Sequence, residues 1–445
     1  MLVNLSSSNI LNLNLSMKKA IIIVLALTAC QTKEDTKPEL NRLATEYVKL
    51  GLEIGQQDAD FVDAYYGPDS LKPEPKEYEV FPKDYLLTEV SNLHNEFETY
   101  IKSEKDNSNL NRAKFIQAQL IAYAERVRIV GGETSDFDTE SMALFGVEAP
   151  HYDSTKFQES MDKLADFLKG EGTLQEKYQN LGKRFIIPVE KLDTVMKTAI
   201  AEARKRTQEH YPIPEKEGFS LEFVTDKAWS GYNWYQGDFT SLIQINTDFP
   251  ISIERVIDVG SHESYPGHHV FNVLLEENLY NKKGYIETSL YPLFSPQSLI
   301  AEGSANYGVD VAFPGEDRVI FAKEVLLPLA GLDTAGISTY FKALELVAEL
   351  NYAGNEVARG VLNGTMTEEQ GIAYLIKFGF YSPVKAKQRI AFTKKYRSYV
   401  INYNYGMDLV KNSIEKQGGT ADNQQKRWDL FGELLSNQVL PIDLN

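Results

Sequence analysis

Cysteine is nearly absent. The 445-residue chain has one, Cys30. An intramolecular disulfide is therefore excluded, and so is a cysteine-ligated metal cluster. Histidine is scarce too, with six in all. Basic residues are outnumbered, 46 Lys and Arg against 63 Asp and Glu, which leaves a net charge of −17. Phosphate backbones need a cationic surface, so nucleic acid is excluded as a partner. Beyond Cys30 no apolar run is long enough to span a bilayer. Internal repeats and low-complexity tracts are also missing. A chain of about 400 residues can still bury a large core without disulfides.

The N-terminal pattern accounts for the lone cysteine. Residues 1–16 carry no charge and look like an upstream extension. Met17-Lys18-Lys19 then forms a basic start, followed by the short apolar run 20–27 and Thr28-Ala29-Cys30. A basic region, a short apolar core and small residues make a signal peptide. Leu27-Thr28-Ala29-Cys30 resembles a bacterial lipobox, in which the cysteine is diacylated and becomes the first mature residue. Residues 1–29 are thus expected to be removed, 30–38 to be a lipidated Cys and polar tether, and 39–445 to form the working domain. Loss of Lys18 and Lys19 would deepen the net charge from −17 to −19. The expected location is outside the cytoplasm, held to a membrane through the lipid alone.

Half of the histidines lie in one octapeptide, His262-Glu263-Ser264-Tyr265-Pro266-Gly267-His268-His269. Imidazole is the commonest zinc ligand, and an adjacent Glu can serve as general base. The usual helical motif puts its two histidines one turn apart, H-E-x-x-H. Here Pro266 stands at that place. In a straight helix, residues six apart face opposite ways and residues seven apart are separated by ~10 Å along the axis. Neither arrangement lets two imidazoles share one ion at about 2.1 Å. Pro266 removes one helical hydrogen bond and Gly267 tolerates unusual dihedrals. A bulge absorbing two residues would bring His268 to the missing ligand position, leaving His269 in the outer shell.

The octapeptide, followed by Ala301-Glu302-Gly303-Ser304-Ala305-Asn306-Tyr307, resembles the bacterial family called domain of unknown function 885. That family is grouped with zinc metallopeptidases of the gluzincin type. Its common second motif is E-G-W-A-x-Y; here Ser304 replaces the Trp. The resemblance runs over roughly residues 40–440. It implies a helical zincin-like fold, a Zn²⁺ cofactor and peptidase activity. Glu302 is the natural third ligand, on a helix expected over 297–312 with Ser295 as N-cap and Pro296 first. Asn306 shares its face four residues on and offers a carbonyl to a ligating histidine.

The rest of the chain reads as mainly α (α+β). Helices are expected over 39–54, 84–103, 109–129, 154–169, 189–209, 336–362 and 367–378, and from Ser382-Pro383 towards Tyr403. Thr367 with Gln370 makes a capping box. Strands are expected at 220–225, 229–235 and 240–246. They form a small sheet beside the His-Glu helix, with one edge strand lining a cleft where an extended peptide can pair. Asn246, at the end of the third strand, is taken as substrate-binding. The aromatics Trp229, Tyr232 and Trp234 read first as packing. In the late cluster 396–406, Tyr403 is the expected oxyanion donor and Arg397 the expected cation for a substrate carboxylate.

The resulting expectation is an exported zinc hydrolase acting on peptides. His262, His268 and Glu302 hold the ion, water fills the fourth position, and Glu263 is the general base. Two alternatives remain: a catalytically silent binding lipoprotein of the same fold, and a zinc hydrolase of non-peptide amides or esters. A small closed pocket would favour the last.

Overall fold

The computed structural model describes residues 37–444. Cys30 and the segment before it lie outside them, so the signal and anchor expectations stand apart from the fold. Helices dominate, as expected. The first three, Lys37–Gln57, Lys83–Ser103 and Asn107–Val130, pack through Leu40, Tyr47, Phe97 and Tyr123 into their own apolar cluster. Their boundaries have local causes. The Asp106 carboxylate, for example, accepts from the backbone N–H groups of Ser108 and Asn109 and so caps the third.

Five short strands follow in chain order: β1 (Val62–Tyr65), β2 (Gly218–Val224), β3 (Gly231–Gly237), β4 (Thr240–Asn246) and β5 (Leu290–Pro292). β1 and β5 form an antiparallel pair. The other three form a sheet in the order β2-β4-β3, with β4 parallel to β2 and antiparallel to β3. The alternation read in 240–246 is real: Ser241, Ile243 and Ile245 are buried. The strand at the cleft is β3, however, because β4 is central and its backbone groups are spent on both neighbours.

Two long helices expected from the sequence are broken. The 336–362 stretch divides into Ile337–Ala348 and Ala353–Leu362, where Leu350 turns into a buried apolar cluster and Tyr352 donates to Asp408 at 2.5 Å. The helix from Pro383 ends at Tyr396. Arg397 has φ 55°, a short 3₁₀ turn follows, and a new helix runs Ile401–Lys416. The buried Glu140 carboxylate accounts for that break, accepting from Arg397 Nε, Ser398 N and Ser398 Oγ at 2.6–3.0 Å.

The Pro296–Ala312 helix runs through the middle of the core, and fifteen of its seventeen residues are buried. Ser295 caps it with Pro296 in the first turn. It touches the Ile401–Lys416 helix backbone to backbone, since a Cβ on Gly303 would lie 2.3 Å from the Gly406 carbonyl carbon. This approach sets Glu302 against Tyr399 and Tyr403.

Candidate metal centre and cleft

The His-Glu motif does not ride on one bulged helix. It spans two: Ile253–Glu263 ends at the Glu, and His268–Leu275 begins at the second His. Pro266 has no N–H to continue the first helix. Gly267 N–H donates back to Ser261 O at 3.1 Å. A Cβ on Gly267 would sit 1.9 Å from His262 O, so only glycine passes there. The break reverses the chain enough to bring His268 Nε2 within 3.1 Å of His262 Nε2.

Glu302 completes the group. Its Oε2 lies 3.3 Å from His262 Nε2 and 3.8 Å from His268 Nε2. Its Oε1 accepts from Tyr399 OH at 2.7 Å. Oε2 itself is buried with no hydrogen-bond partner, a costly state for an isolated carboxylate oxygen. An unsatisfied carboxylate oxygen facing two imidazole nitrogens is a donor set of N, N and O, which fits Zn²⁺.

The outer contacts fix the tautomer at His262. Asn306 Nδ2 donates to Tyr403 O at 2.9 Å, so its Oδ1, 3.0 Å from His262 Nδ1, must accept. Nδ1 then carries a proton, and Nε2 is the ring nitrogen turned towards Glu302. Burial works to lower the His268 pKa, but the nearby Glu302 carboxylate, with Glu263 and Asp63, raises it to about 9. Burial likewise opposes ionisation of Glu302, yet the two imidazoles outweigh it and hold the carboxyl well below its usual range.

Glu263 is buried beside this group, and His262, Glu263 and His268 bring ligand-type atoms within 4.8 Å of one another. Its backbone carbonyl accepts from Asn233 Nδ2 at 2.7 Å, which ties the helix end to β3. A Cβ on Gly231 would come within 2.7 Å of its carboxylate, so β3 passes closely over it. Burial pushes the Glu263 pKa up, with Glu302 adding to the rise and the imidazoles opposing it.

A cavity of about 1580 Å³ opens over the centre. Gly231, Tyr232 and Asn233 of the edge strand line it, as does Tyr403. Among the described residues the Tyr403 hydroxyl has no hydrogen-bond partner. Burial and the Glu302 charge keep it protonated, hence a donor.

Three expected site residues are committed to other partners. His269 is fully buried between Ser241 Oγ and Glu217 Oε2, each at 2.8 Å, and turns away from the other histidines. Neighbours in a helix project ~100° apart, so His268 and His269 cannot share one side. Arg397 pairs with Glu140 and does not line the cavity. Asn246 borders the cavity, but its amide is spent on Lys227 O and Trp229 O at 3.0 and 2.9 Å, closing the β2–β3 turn. Ser304, in the place of the family's Trp, is buried and donates to Ala301 O.

Sequence reasoning missed two groups. Asp63 on β1 accepts from Tyr232 OH and lines the cavity. Burial, with Glu302 and Glu263 adding to it, raises its pKa to about 6 against the pull of Tyr232 and His268. No spacing flagged it. Arg389 also lines the cavity. Its signal was the i, i+3, i+7 spacing of Arg389, Phe392 and Tyr396 on one helix face.

Solved structures resemble the chain at low identity. One described as "the putative lipoprotein from Colwellia psychrerythraea" matches with TM-score 0.51 and 15% identity, over 81% of this chain and 68% of that one. A "putative lipoprotein of unknown function" from Shewanella oneidensis gives TM-score 0.42 and 12% identity, over 80% and 73%. Trypanosoma cruzi metallocarboxypeptidase 1 gives TM-score 0.40 and 11% identity, over 89% and 90%. The likeness to the Colwellia structure supports the fold class alone, mainly helical with small sheets. No protein-family model and no curated protein matches the chain, so the resemblance to the domain-of-unknown-function family rests on its two motifs.

Proposed function

We propose that the chain is an exported, lipid-anchored zinc hydrolase acting on peptides. The observation that carries this reading is the convergence of His262 Nε2, His268 Nε2 and the unpartnered Oε2 of Glu302 within 3.1–3.8 Å, with Glu263 alongside. Zinc at these three donors supplies a Lewis acid and lowers the pKa of water towards ~7. Glu263 takes the proton from the attacking water and delivers it to the leaving amine. Burial pushes its pKa up, which makes it a stronger base than an exposed carboxylate. Tyr403, with its hydroxyl unpaired in the cavity, donates to the oxyanion. Asn306 holds the His262 tautomer and Tyr399 aims Glu302. The size of the cavity favours a peptide over a small amide or ester.

The test is zinc stoichiometry beside turnover. Wild type and Glu263→Gln should each carry about one zinc per chain, and the variant should lose at least ~10²-fold in kcat on peptides. Glu302→Ala should lose the metal. Full activity in Glu263→Gln removes that residue from the mechanism, and full zinc in Glu302→Ala removes it from the ligand set.

A further inference from the structure

The cavity is lined by three lysines, Lys156, Lys385 and Lys411, and by four arginines, of which three are already engaged. Arg318 pairs with Asp310 at 2.6 Å, Arg427 donates to Tyr307 OH at 2.8 Å, and Arg255 reaches Ser230 Oγ at 3.2 Å. Among the described residues Arg389 is the one cavity-lining arginine with neither hydrogen bond nor ion pair. Its Nε is buried and unpartnered. Leaving a buried donor unmade is costly, so an external acceptor is the natural complement.

Its surroundings hold it in place. The guanidinium lies over Phe392, 5.2 Å from the ring centroid. Phe392 is 6.3 Å from Tyr403, Tyr403 is 5.8 Å from Tyr399, and Tyr399 OH bonds Glu302. A continuous aromatic wall thus joins Arg389 to the metal centre. The Arg389 charge is felt at Tyr403, where it opposes the rise in pKa. A planar guanidinium matches a single carboxylate through two parallel hydrogen bonds.

We propose that Arg389 is the substrate-recognition residue of this site, binding the free C-terminal carboxylate of a peptide cleaved near its C-terminus. This rests on the hydrolase reading above for the cleavage, but not for the binding.

The experiment uses N-acetyl-alanyl-phenylalanine and its C-terminal amide. Calorimetry on the full chain without added metal should show the acid binding at least roughly 10-fold tighter than the amide, as a charge-assisted pair gives. Arg389→Met should abolish that preference and Arg389→Lys should retain part of it, with circular dichroism confirming that both fold. In the zinc-loaded protein, Arg389→Met should raise KM for the acid and leave the amide unchanged. Equal binding of acid and amide by wild type overturns the proposal, as does a preference that survives Arg389→Met. Binding preference without cleavage supports it while sinking the hydrolase reading. Cleavage of acid and amide alike does the reverse.

Discussion

At the scale of single residues, two adjacent histidines have opposite duties. His268 faces His262 and Glu302, whereas His269 closes a buried bond pair between Ser241 and Glu217. His268→Ala should therefore abolish zinc binding with modest loss of stability. His269→Ala should keep zinc but destabilise the fold by about 2–4 kcal/mol, through a cavity and the partners it strands. Zinc titration and denaturant unfolding of the two variants separate these effects. The reverse pattern would reassign the ligand. Asp63 gives a pH signature. Its folded pKa is about 6 and its ordinary value 3.8, because burial penalises the charge. The folded state then holds the proton more tightly than the unfolded. The contribution is fully present below pH ~4 and lost as pH rises through about 6. With chelator present, Asp63→Asn should gain in Tm relative to wild type between pH 4 and 6. A constant difference across that window would show Asp63 ionised in the fold.

At the scale of elements, the centre depends on a junction between two helices. The 1.9 Å approach to His262 O leaves no room for a methyl at Gly267, and the obstacle is backbone, which cannot swing aside. Gly267→Ala should push the His268–Leu275 helix away. The expected cost is about 1–3 kcal/mol from overpacking, with zinc affinity down at least ~10-fold as His268 shifts. Unchanged affinity by competition with a chromophoric chelator would mean the junction adapts. Element scale also separates what was legible in the sequence. A periodic helix such as 84–103 and a capped one such as 367–378 were readable because their signals are local. The motifs also pointed His262, Glu263 and Glu302 to one place, and the fold brings them together. The break at Arg397 was not readable, because its cause is Glu140, more than 250 residues away in the chain. The same holds for β1 with Asp63, a four-residue strand that only its pairing with β5 defines. Pro266 announced a distortion, but chain identity alone does not separate a bulge from two helices.

At the scale of the whole molecule, the open question is how it would stay at a membrane. Among the described residues no helix is long and apolar enough to cross one. The net charge of −17 gives no attraction to anionic lipid, and repulsion acts within a Debye length of ~8–10 Å. A bilayer would then have to be engaged by something other than this surface. A diacylated Cys30 is sufficient, since two acyl chains anchor stably where one binds only marginally. No other cysteine can take a thioether-linked lipid. Cys30→Ser should therefore move the protein from the membrane fraction to the soluble fraction or leave an unprocessed precursor. Its zinc content and peptidase turnover should be unchanged after extraction, because the centre lies wholly within residues 37–444. Intact mass of the wild type should show a lipidated N-terminal Cys30. A mature N-terminus at any other residue, or a Cys30→Ser variant that still pellets in mature form with the membrane, would dismiss the anchor.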